Sequence, residues 1–143
     1  MKLILLIAFA VTCFNTGLIW IVQLVHYPGF FKIGQEGYDA YQAFHMRSIT
    51  WIVAPSMLAE ALTTGLLLFY LKDLPLTGLY YISVILLLII WINTAFFAVP
   101  AHNKLLSGYD AQAIGTLVSV NWWRTFAWSV KSLLLGLMLY KLL

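Results

Sequence analysis

Apolar and polar positions alternate along this chain in long blocks. Four apolar runs, residues 3–25, 49–70, 79–99 and 117–140, are separated by shorter stretches that hold most of the charge. A helix needs about 20 largely apolar residues to cross about 30 Å of hydrocarbon, so each run is long enough to span a bilayer. The predicted fold is an all-α membrane protein, a single four-transmembrane-helix bundle over residues 1–143. Helix one is expected to end at His26-Tyr27-Pro28-Gly29, where proline removes a donor and glycine permits a turn. The second span is closed by Lys72 and Asp73 and followed by a loop over residues 74–78. The third stops at Pro100, and the fourth begins near Leu117. Residues 30–46 interleave Lys32, Glu36 and Asp39 with Phe30, Phe31, Tyr38, Tyr41 and Phe44, which predicts an interfacial segment between helices 1 and 2.

Polar residues interrupt the apolar runs at matching depths. With a rise of about 1.5 Å per residue, Asn15 lies about 16 Å below His26, Glu60 about 18 Å below Ser48, Asn93 about 13 Å below His102, and Lys131 about 15 Å below Asn121. An ionisable group at the bilayer centre costs at least about 2.5 kcal/mol unless paired or hydrated. Asn15, Glu60, Asn93 and Lys131 are therefore expected to form a buried polar layer, with Glu60 and Lys131 as its ion pair. The same residues could equally serve as interhelical glue.

A second layer nearer the loops takes Gln23 and His26 from helix one, His45 and Arg47 before helix two, His102 after helix three, and Asn121 with Arg124 on helix four. At about 100° per residue Asn15 and His26 share a face, and so do Asn121, Arg124, Trp128 and Lys131. The two layers would line one polar track.

Composition narrows the class further. Of 143 residues 63% are hydrophobic and only 9% charged, which excludes an ordinary water-soluble domain. The formal charge of +3 is scattered as single residues, leaving no basic stripe for nucleic acid. The sole cysteine, Cys13, lies within the first run, so no disulfide framework forms within one chain. The first run continues to Val25, too long for a signal-peptide core, and is expected to remain as a span. Four spans put both termini on one side and all three histidines on the other. Cations do not decide the orientation; Lys2 beside the first span favours cytoplasmic termini in a bacterial inner membrane.

Three histidines and a carboxylate can ligate zinc, iron or copper, so His26, His45 and His102 are candidate metal or cofactor ligands. Haem fits less well, because no two histidines face each other within the assigned spans. No His-x-x-x-His spacing occurs, so such a site depends on tertiary convergence. Arg124, among Trp122, Trp123 and Trp128, could grip a carboxylate, a phosphate or a quinone oxygen while the indoles pack a flat ligand; anchoring at headgroup level is the ordinary alternative.

Two segments carry a resemblance. Gln23 to Glu60 reads Q-x-x-H-Y-P-x-F, then Y-x-x-F-H-x-R, then P-x-M-x-x-E; Pro100 to Trp128 reads P-x-H-x-x-L-x-x-G, then N-W-x-R-T-x-x-W. These resemble a group of small uncharacterised bacterial four-helix membrane proteins, over most of the chain and with no activity implied. More distantly, the size, span count and a His-x-Pro element are similar to the anthrone-oxygenase-like membrane proteins, some of which are associated with oxidising polycyclic aromatics. The reading that follows is a membrane-embedded protein binding a lipophilic small molecule or a metal or haem cofactor, and acting as an oxidoreductase or oxygenase on a quinone or aromatic substrate. In it Glu60 accepts protons and Arg124 with Asn121 orients substrate. The alternatives are a small transport or proton-conducting module, or an accessory membrane subunit. Gly17, Gly65 and Gly136 permit close helix approach, within the bundle or in a homo-oligomer.

Overall fold

A computed structural model describes residues 1–71 and 76–142. Lys72 and Asp73, expected to close the second span, lie outside the described residues, as do the first two residues of the loop after them. Every element among the described residues is a helix: α1 (Lys2–Phe30), α2 (Tyr38–Leu71), α3 (Thr77–Leu105) and α4 (Ala111–Leu142). By length and composition α1, α2 and α3 can cross a membrane. In α4 the apolar sequence is broken by Asn121, Arg124, Lys131 and several hydroxyl residues.

The helices run further than their prolines suggest. Helix one does not stop at His26-Tyr27-Pro28-Gly29 but continues to Phe30, and helix three passes Pro100 to end at Leu105. In each a five-residue π turn precedes the proline by two positions, at Val22–His26 and at Thr94–Ala98. A proline cannot donate to the carbonyl four residues back and its ring crowds that carbonyl; a wider turn just upstream relieves both. Residues 38–46, the greater part of the segment 30–46 expected to lie along the membrane surface, are instead the first turns of α2, continuous with its later ones. Helix four likewise starts six residues before Leu117.

Helices α1 and α4 pack along their length, α2 packs on α1, and α3 packs on α4. In contrast α2 and α3 meet mainly at their ends. At one end the Tyr80 hydroxyl donates to the Thr64 carbonyl at 3.0 Å; at the other the Gln42 amide donates to the His102 carbonyl at 3.3 Å. Two apolar clusters hold the bundle. One, around Phe30, Tyr38, Leu105, Ile114 and Trp128, fills the loop end, and the other, around Leu5, Leu67, Tyr80 and Leu135, fills the terminal end. The outward surface between the two ends of the bundle is largely apolar, with Trp51, Phe69, Phe96 and Leu133 each more than 70% exposed. Such a surface suits a hydrocarbon solvent and no other. In the turn between α3 and α4, Lys104 pairs with Asp110. Its ammonium, with the Ala113 amide, holds the Asp110 carboxyl below the usual carboxylate range.

Candidate functional site

The deep polar residues converge as the depth argument requires, with one exception. Glu60 of α2 and Lys131 of α4 are fully buried and paired at 2.7 Å. Glu60 accepts four hydrogen bonds: from Thr12 at 3.0 Å, Asn15 at 2.8 Å, the Trp128 indole at 2.9 Å and Lys131. The three ammonium protons of Lys131 find Glu60, Thr12 at 3.2 Å and Thr64 at 3.3 Å. The cluster draws on α1, α2 and α4. Asn93 of α3 does not reach it; its amide donates to the Val120 carbonyl at 3.2 Å, in a shallow groove between α3 and α4 lined by Ile92, Phe97 and Trp123. Matching depth had placed Asn93 in the layer, but depth carries no information about which way a side chain faces.

At the loop end the three histidines come together. His26 and His45 share one proton between Nε2 and Nδ1 at 2.6 Å, and the rings of His45 and His102 lie 5.3 Å apart. Phe30 presents its edge or face to all three. The Gln42 side-chain amide sits 3.0 Å from His102 Nδ1 while donating to the His102 carbonyl. That network assigns Nδ1 as an acceptor, so the ring proton is on Nε2 and is donated to the Tyr27 hydroxyl oxygen at 2.8 Å. Arg124, 5% exposed, lies near the same hydroxyl and stacks over Trp128 at 5.3 Å from the ring centroid. Tyr27 thus accepts from His102 and keeps its own hydrogen to give.

Among the described residues no group of three His, Cys, Asp or Glu side chains is disposed to hold a metal. The nitrogens explain this. Two ligands of one tetrahedral zinc, each about 2.0 Å from it, sit more than 3 Å apart, whereas 2.6 Å is the spacing of a shared proton. Both ring nitrogens of His102 already have partners. Asn121 donates to the Gln23 side chain at 2.8 Å, and Gln23 to the Val118 carbonyl. These two cross-link α1 to α4 above the deep cluster.

A cavity of about 320 Å³ joins the two clusters. Met46, Thr50, Ala54 and Leu58 of α2 face Trp91 and Val99 of α3 across its mouth, where the two helices part. One end is bounded by Tyr27, His102 and Arg124, and the other by Asn15 and Trp128, whose N–H groups are turned to Glu60. Glu60 and Asn121 do not line it. The exposure of Thr50, Ala54 and Leu58 makes it a slot opening sideways, toward lipid, rather than a pore along the bundle.

Sequence reasoning passed over Tyr27, Gln42, Thr12 and Thr64. Each lies three or four residues from a singled-out residue: Tyr27 after Gln23, Gln42 before His45, Thr12 before Asn15, Thr64 after Glu60. Helical neighbours at that spacing share a face, which was the available signal. Comparison of the chain with protein-family models, with curated protein sequences and with solved structures finds no match.

Proposed function

We propose that the protein crosses the membrane with all four helices and binds a lipophilic small molecule, a quinone or an aromatic compound, entering from the bilayer between α2 and α3. The observation that carries this reading is the sideways slot, apolar along its walls and polar at one end, of the size and character of small-molecule sites. Several features of α4 support its being a fourth span. Its 32 residues would reach about 48 Å, its exposed side chains include Trp123, Phe126, Leu133 and Leu137, and Asn121, Arg124 and Lys131 all face inward. Phe31 and Phe44, exposed near the loops, suit headgroup depth.

In this reading Tyr27 and Arg124 direct donors at a ligand oxygen. His102, whose Nε2 hydrogen reaches Tyr27, offers an exchangeable proton beside that oxygen, as an oxidoreductase acting on a quinone or phenol requires. The distant likeness to anthrone-oxygenase-like proteins points to the same substrate class.

Trp91 and Trp128 line the slot, so a naphthoquinone should quench the fluorescence of detergent-purified protein along a saturating curve. Ala54→Trp, which fills the mouth from an exposed position, should abolish saturable quenching and leave the folded state intact. Quenching that rises linearly and equally in both proteins would remove the slot as a binding site.

A further inference from the structure

The electrostatics of the slot specify its ligand more narrowly, on the assumption that the slot is a binding site. A guanidinium keeps its proton under all physiological conditions, so Arg124 places a full positive charge inside the bundle. Among the described residues no carboxylate answers it. Glu60 is taken up by Lys131, Asp110 pairs with Lys104, and Glu36 and Asp39 are exposed near the loops. What surrounds Arg124 is neutral: the Tyr27 hydroxyl, the Trp128 ring, the His102 imidazole and apolar slot residues. Its Nε is buried without a hydrogen-bond partner. Buried charges are ordinarily paired, and the Glu60–Lys131 cluster shows that this bundle pairs them where it can.

We infer that the resident ligand supplies the missing charge: it is an amphiphile with one oxyanion on an apolar body, the oxyanion held by Arg124 and by the hydrogen that Tyr27 retains. The body extends along the slot past Ile49, Val53 and Met57 toward Trp128. Two sources share this chemistry, an alkyl carboxylate of the fatty-acid kind and an ionised ring hydroxyl such as that of a hydroxynaphthoquinone. A second anionic site is not needed, because the slot has a single unanswered cation.

The test is a pair of matched titrations on the full-length protein in neutral detergent, read by tryptophan quenching. One pair is a brominated long-chain carboxylate against its methyl ester; the other is a hydroxynaphthoquinone, ionised at neutral pH, against the parent naphthoquinone. In at least one pair the acid should bind about tenfold tighter or more than its neutral partner, a difference that Arg124→Gln should collapse without weakening the neutral ligand. A preference in the alkyl pair alone identifies a chain amphiphile, and in the ring pair alone an aromatic; both outcomes support the inference. Equal affinity of acid and neutral ligand in both pairs would overturn it while leaving the slot as a binding site. If no ligand of either pair binds saturably, both proposals fall. The wild-type comparison decides the matter even if Arg124→Gln does not fold.

Discussion

The Glu60–Lys131 cluster and the Tyr27–His102–Arg124 cluster are both buried and both assembled from several helices, yet only the first closes its own charges and hydrogen bonds. Around Glu60 each carboxylate oxygen has two donors, each ammonium proton has an acceptor, and the net charge is zero. At the loop end the His45 Nε2, the Gln42 and Asn121 side-chain oxygens and the Arg124 Nε are buried without partners, and the charge is unbalanced. Saturated polar networks fix a fold; networks with unused valence are where a fold can accept something else. The difference is why binding is proposed at Arg124 and Tyr27 rather than at Glu60 and Lys131, although the residue types alone suggest the reverse, a glutamate being the more familiar acid or base.

The largest effect that would break this comparison is at Glu60. Glu60→Gln leaves Lys131 uncompensated and should cost about 3–5 kcal/mol of stability in mixed-micelle unfolding. The double variant Glu60→Gln, Lys131→Met should recover most of that loss. A single substitution without measurable cost would mean the pair is not closed as described. Removing the other buried cation should act in the opposite direction. Arg124→Met is expected to raise ligand-free stability, by about 1 kcal/mol or more, since no counter-charge is lost with it. A loss as large as that of Glu60→Gln would place a hidden anion beside Arg124 and merge the two classes. The smallest effect sharpens the description of the closed cluster. Thr64→Val removes one of three acceptors from Lys131 and should cost about 0.6 kcal/mol in the same assay, the usual scale of a hydrogen bond between membrane helices.

Hydropathy carried the architecture, because a bilayer forces polar side chains inward and apolar ones outward. The helical rule of about 100° per residue then carried the facing of Asn15, Glu60, Arg124 and Lys131. Three things were not legible. Asn93 shares a depth with the cluster but lies on another side of α3, and rotation of one helix relative to the others is set by packing that no single run of sequence encodes. Pro28 and Pro100 read as stops because a proline ordinarily removes an α-helical bond, and a π turn two residues upstream leaves no mark in composition. Tyr27 and Gln42 carry no signal of their own in the sequence; only the approach of His102 from a distant part of the chain gives them a role.

The two π turns have a consequence for how this chain can vary. A π turn is an α-helix holding one residue more than its turn requires, so excising Leu24 or Val25 would yield an ordinary helix in which everything beyond is rotated by about 100°. His26 would swing away from His45, and Tyr27 away from His102 and Arg124, with every side chain still present. The meeting of these groups is therefore a matter of chain length as much as of residue identity. Insertions and deletions in this stretch would be far less tolerated than substitutions of the lipid-facing Leu24 or Val25.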